Sequence, residues 1–147
     1  MKVVSKGVLP PSEVYFHTCS ALAREIFFYP VCTGHFYCAA GYEVDRGRYD
    51  SFLLIHVAAG KGYVWDGPRK LAARAGEFLL VDCYQPQHYG TDDGWEIYWL
   101  HFDGALARRY YELCARNGPL ARPGDGALCA RQLRRIFEAF QIGRAHV

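Results

Sequence analysis

The residues of this chain best suited to chemistry are its six histidines, three tryptophans and eleven tyrosines. His35, His56 and His101 each fall within an apolar run. A lone histidine on a strand is more often a hydrogen-bonded packing residue than a ligand. His56 shares a strand face with Phe52 and Leu54. Between residues 96 and 102, alternation sets Ile97, Trp99 and His101 on one face, and Glu96, Tyr98, Leu100 and Phe102 on the other. A face carrying Trp99 and His101 could line a pocket. Neutral sugars stack their C–H groups on flat aromatic rings, while Arg, Tyr and His serve the hydroxyls. Trp99 could equally be a core residue, and both readings stay open here. No nucleophile elbow and no phosphate-cradling glycine loop appears. Gly60-Lys61-Gly62 is too short for a phosphate cradle and reads as a bend. No catalytic residue and no cofactor is therefore assigned, and the chain is not read as an enzyme.

These side chains need a scaffold. The 147 residues amount to one domain. The hydrophobic fraction of 51% and aromatic fraction of 16% exclude intrinsic disorder. Residues 21–103 break into short apolar runs punctuated by turn residues, which predicts antiparallel strands at 26–29, 34–40, 51–58, 62–66, 69–74, 77–82 and 95–102. Asp66-Gly67 predicts a tight hairpin. Many short strands at even spacing imply a sandwich or barrel. After Asp103 the period becomes helical. Asp103 is placed to cap a helix with Leu106, Tyr110 and Leu113 on its apolar face, stopped by Asn117-Gly118-Pro119. Asp125 is placed to cap a second helix, whose apolar face carries Cys129, Leu133, Ile136, Phe137 and Phe140. Residues 1–20, with Pro10-Pro11, read as an extended arm.

Three blocks, "YDSFLLIHVAAGKGYVWDG", "ARAGEFLLVDCYQPQHYG" and "WEIYWLHFDG", occur in order between residues 49 and 104, with "AREIFFYPVCTGHFYC" upstream. Their sequence and spacing resemble the N-terminal half of AraC-type transcription regulators. The resemblance covers roughly residues 21–140. It implies a mainly β fold: a cupin-type antiparallel barrel (double-stranded β-helix) with an effector pocket, followed by two C-terminal helices that dimerise. By the same resemblance Trp99 falls where a relative stacks its sugar, Tyr89 matches a pocket tyrosine, His88 belongs to the "PQHYG" block, and Arg46 matches a sugar-binding arginine, with Arg48 a rival. The ligand-binding set is thus Arg46, His88, Tyr89, Trp99 and His101, and the effector a small molecule, a carbohydrate by resemblance. Two positions depart from the family pattern. Asp82-Cys83 replaces a common Pro-Pro pair, and Ile97 is apolar where a polar residue is usual.

Cupin enzymes hold a metal with a His-x-His pair, a Glu and a later His. Here those positions fall near Gly47, Arg48, Tyr49, Phe52 and Leu53, so no metal site is expected. The alternative reading is a metal-free cupin enzyme, such as a sugar epimerase or isomerase, with His88 as base and Tyr89 as acid. For the second helix, the resemblance implies a homodimer through Leu133, Ile136, Phe137 and Phe140.

The expected organisation is an arm at 1–20, a barrel at 21–103, a helical dimerisation element at 104–141, and a tail at 142–147. The tail "IGRAHV" matches the translation of a common sequencing-adapter string, so Gln141 is expected to be the last genuine residue. Net charge is only +2 and the arginines are scattered, so DNA contact is expected only through a helix-turn-helix domain missing from this chain. The absence of an 18-residue apolar run and of a signal-peptide core predicts a cytoplasmic location without membrane contact. The six cysteines are expected to be free thiols.

Overall fold

The computed structural model describes residues 5–145. Its elements are β1 (Val8–Phe16), α1 (Ala21–Ile26), β2 (Phe28–Cys38), β3 (Glu43–Arg46), β4 (Phe52–Asp66), β5 (Arg69–Arg74), β6 (Phe78–Asp82), β7 (Gln87–Gly90), β8 (Trp95–Gly104), α2 (Ala107–Cys114), β9 (Leu120–Ala121) and α3 (Gly126–Ala145). All strand pairings are antiparallel. One layer runs β1-β2-β8-β4-β6-β9, and β3, β7 and β5 form a second layer on the far half of β4. This is the cupin-type barrel, with α2 and α3 on the outside of the larger layer.

Period-two patterning builds the core. Leu53, Ile55 and Val57 on β4 point inward and are almost fully buried. Phe52, Leu54 and His56 face the other way, toward the helices. The runs at 51–58 and 62–66 form one continuous strand, because Gly60 bends β4 without breaking it. Gly60 has φ +75, and a Cβ there would lie 2.4 Å from the carbonyl oxygen of Gly94. The hairpin at Gly67 forms as the sequence predicts, with Asp66 opposite Arg69.

Several expectations are corrected. The arm is a wall of the barrel: β1 pairs with β2, and Ser12, Val14 and Tyr15 are buried. Pro10 and Pro11 sit in the bulge between Leu9 and Glu13, where ladder hydrogen bonds are interrupted. The strand expected at 26–29 is preceded by α1, which Ser20 caps by accepting from the Ala23 amide at 3.1 Å. Strands β3 and β7, with four residues each, are too short to show a period.

The helices differ from their patterns too. Asp103 does not cap α2; its carboxylate accepts from the Gly104 amide and the Tyr84 hydroxyl. Leu106, Tyr110 and Leu113 are exposed, while Ala107 and Tyr111 face the barrel, with the Tyr111 ring 5.2 Å from Phe52. Arg108 pairs with Asp82 at 3.0 Å from the same side of the helix. Asp125 does serve α3, accepting from the Leu128 amide at 2.9 Å. The apolar stripe of α3 lies on its own barrel. Leu133 and Phe137 are 2% and 3% exposed, and Phe137 meets Tyr15, His35 and Tyr98 at ring distances of 5.6–5.9 Å. Phe140 packs on Tyr15 and His17. Those strand residues point outward and need a cover, and the stripe supplies it. Ile136 stays exposed. Residues 142–145 continue α3, and His146 and Val147 lie outside the described residues.

Phe137→Ala should therefore cost about 3–5 kcal/mol of folding stability, read as a lower urea midpoint of the isolated chain. Leu133→Asp should unfold the barrel. A Leu133→Asp chain with wild-type stability would show that the stripe faces away from it.

Candidate functional site

Between the two layers lies a cavity of about 290 Å³. Strand β8 gives it Ile97, Trp99 and His101, every second residue, as the sequence pattern requires. Strand β2 contributes Cys32 and Phe36, β1 contributes Val14 and Phe16, and β4 contributes Ile55. From the smaller layer come Val44 and Arg46 of β3 and Tyr89 of β7, with Tyr42 and Tyr49 from the flanking loops.

Trp99 can lie where it does because its neighbour across the ladder is Gly34. A Cβ at Gly34 would sit 2.4 Å from Trp99 Cζ2. The indole meets Phe36 edge-on at 5.0 Å and His101 at 5.7 Å. Its Nε1 is buried without a hydrogen-bond partner among the described residues.

His101 is the centre of a polar chain at one end of the cavity. Arg46 Nη2 lies 3.3 Å from His101 Nε2, and Ser51 Oγ lies 2.8 Å from His101 Nδ1. A guanidinium can only donate, so Nε2 accepts. The ring proton then sits on Nδ1 and is donated to Ser51, whose own hydroxyl donates to the Tyr49 carbonyl at 3.0 Å. Burial, reinforced by the Arg46 charge, pushes the His101 pKa down to about 3, so the ring is neutral. The Arg46 guanidinium lies 4.7 Å from the Tyr49 ring centroid. With its carboxamide oxygen toward Arg46 Nε, 2.7 Å away, Gln87 accepts from the same side chain. No carboxylate forms an ion pair with Arg46 among the described residues. Burial holds the Tyr89 phenol well above its usual pKa and raises Tyr49 to about 12, so both stay protonated.

Of the residues named from the sequence, Arg46, Tyr89, Trp99 and His101 converge on this cavity. His88 does not. It stands outside the barrel, 3.1 Å from Glu43 and stacked on Trp65. Neighbours on a strand face opposite ways, so Tyr89 pointing in requires His88 to point out. The acid–base pair His88 and Tyr89 therefore cannot share one cavity. Arg48 is exposed, pairs with Asp50 and does not line this cavity, whereas Arg46 does. Sequence reasoning missed Tyr42, Tyr49 and Ser51 because they lie in loops without periodicity. Residues Val14 and Phe16 were missed because their segment was read as an arm. Cys32, Cys38 and Cys83 are buried, and all six cysteines are free thiols. Burial raises the pKa of Cys32 and of Cys83, the latter to about 11. Among the described residues no group of three or more His, Cys, Asp or Glu side chains could hold a metal ion, and no helix is long and apolar enough to cross a membrane.

The family model for the AraC-like ligand binding domain matches residues 29–145. The chain belongs to this family. A stretch of 70 residues, 46% of the chain, is 34% identical to the HTH-type transcriptional regulator YisR of Bacillus subtilis (strain 168). The chain spans only 23% of that regulator's length. Among solved structures, the YhaK protein of Escherichia coli superposes with a TM-score of 0.53 at 15% identity, over 66% of this chain and 46% of that one. The plu4264 protein of Photorhabdus luminescens gives 0.50 at 9% identity, over 76% and 87%. At these identities the two structures show that the fold is shared and nothing further. The AraC-like domain thus places an aromatic wall and a single cationic group around one cavity.

The His101 shift has a sign that can be checked. As pH falls from about 6.5 toward 3, the unfolded chain binds a proton that native His101 refuses. Stability therefore drops across that window and is unaffected by this group above it. His101→Gln should remove that contribution, at most about 1.4 kcal/mol per pH unit. Urea titrations at neutral and mildly acidic pH read it directly. Burial pushes His56 in the same direction, and its share should persist in the variant. An unchanged slope would place the proton uptake elsewhere.

Proposed function

We propose that this domain senses a small organic effector, held between Trp99 and the Arg46–His101 pair, for a transcription regulator. The observation that carries this is the convergence of Arg46, Tyr89, Trp99 and His101, drawn from three different strands, on one cavity. Its volume suits a compact ligand. At ~30 Å³ per water-sized group, 290 Å³ accommodates roughly ten non-hydrogen atoms. A carbohydrate effector draws support from the flat indole of Trp99 and the nearby tyrosine hydroxyls. The enzyme reading is weaker. A histidine and a tyrosine do share the cavity, but Nε2 of His101 is engaged by Arg46, and a pKa near 3 makes its ring a poor base.

In the same proposal, the effector state is passed to a DNA-reading domain outside this chain, and the sensing domain works as a homodimer. The name of the Bacillus relative as an HTH-type regulator supports the first point. The second is supported by the apolar side chains left exposed on the outer helices, namely Tyr110 and Leu113 on α2 and Ile136 on α3.

A ligand at one hundred times its Kd adds about 2.7 kcal/mol of stability, or about 5–10 °C in Tm for a domain of this size. Screening a panel of monosaccharides and small organic acids by thermal unfolding should find such a shift. Trp99→Ala should lose it, and Trp99→Phe should keep part. A folded Trp99→Ala chain with the full shift would remove Trp99 from the site.

A further inference from the structure

The lining of the cavity differs from what a sugar needs. Sugar hydroxyls donate as well as accept, and sites for them supply carboxylates or carboxamides. No Asp, Glu, Asn or Gln lines this cavity among the described residues. Its one charged side chain is a cation. Arg46 donates only. His101 has one acceptor nitrogen, already taken by Arg46. The phenols of Tyr42, Tyr49 and Tyr89 stay protonated, so each can donate as well as accept.

Charge points the same way. Arg46 is half-buried, lines the cavity, and pairs with no carboxylate of the described chain. Its contacts are a neutral imidazole, an amide oxygen, the Cys83 thiol and an aromatic face. A partly buried cation without a counter-ion is costly, and a bidentate carboxylate is the partner that best matches a guanidinium fork. One cation calls for one negative charge. The rest of the wall, with Ile55, Ile97, Val44 and Phe36, is apolar.

We infer that the effector is an organic monocarboxylate with an apolar body, its carboxylate on Arg46 and its body against Trp99 and Ile97. This rests on the proposal that the cavity binds an effector, and it names the class. The ligand's oxygens accept from Arg46, and the cavity's charge is neutralised on binding. Ile97, which departs from the family's polar pattern, then meets the apolar body.

The test is thermal titration of the full chain with 3-phenylpropanoate and octanoate, with the amide of each, and with L-arabinose. The carboxylates should bind at least about tenfold more tightly than their amides, since a charged hydrogen-bonded pair is replaced by a neutral one. Arg46→Gln should abolish that preference, and Arg46→Lys should retain part of it. Amides or arabinose binding as tightly as the acids would overturn the monocarboxylate class while leaving the sensing cavity in place. Carboxylate binding unchanged in a folded Arg46→Gln chain would also overturn it. No shift with any of these compounds would count against both proposals. Should Arg46→Gln fail to fold, the acid–amide comparison on the wild-type chain decides alone.

Discussion

Strand β4 pairs with β8 and β6 along its first half and with β7 and β5 along its second, so one continuous backbone joins the two layers. The join depends on the stretch Gly60-Lys61-Gly62. A side chain at Gly60 would strike the Gly94 carbonyl. One at Gly62 would strike the Gly90 carbonyl and the Trp95 ring, each at 2.3 Å. Only glycine lets the strands on both sides come this near while β4 curls from one layer to the other. Without that curl the layers would part, and no cavity would exist between them. Everything said about the cavity is downstream of this packing constraint.

The second constraint is the pleat. Strands β1, β2, β4 and β8 of the larger layer carry cavity residues on one face and helix contacts on the other. On β8, Ile97, Trp99 and His101 look inward, while Tyr98 lies under Phe137. On β2, Cys32 and Phe36 look inward, while His35 stacks on Tyr98 at 4.0 Å and meets Phe137. A single β8 thus builds the ligand wall and the seat of α3 together. The polar end of the cavity depends on a different neighbourhood, where Ser51 and Tyr49 of the loop before β4 hold His101 while Arg46 approaches from β3.

How much of this was legible in the sequence depends on how far a pattern repeats. The run 95–102 is long enough for alternation to settle which residues share a face, and the cavity face was right at every position. The β7 pair His88 and Tyr89 is too short for that, and block membership put both on the same side. The Gly60 bend was legible because two glycines flank one residue; that the strand continues through it was not, since a bend and a break look alike in composition. Helical spacing revealed the stripe on α3, yet a stripe records only that burial is needed. The partner it is buried against is settled by which outward strand residues lack a cover. On α2 the predicted stripe is not the face that packs: Ala107 and Tyr111 lie on the barrel, with Tyr111 against Phe52, and Leu113 is left in solvent.

Phe137 and Trp99 are separated by the thickness of one strand, and this places a physical limit on how the cavity can act on its surroundings. Trp99 lies against Gly34 with no space for even a methyl group between them. Movement of the indole must therefore be taken up by the β2 backbone at Gly34 or by the rings beside it. Residues Gly34 and His35 are consecutive, as are Tyr98 and Trp99, and both His35 and Tyr98 carry α3 through Phe137. Coupling between the cavity and α3 needs no longer route than this, and its strength would equal the difference in a ligand's affinity between this seat of the helix and any other. A ligand that fills the space without shifting Trp99 would stabilise the barrel and leave α3 where it is.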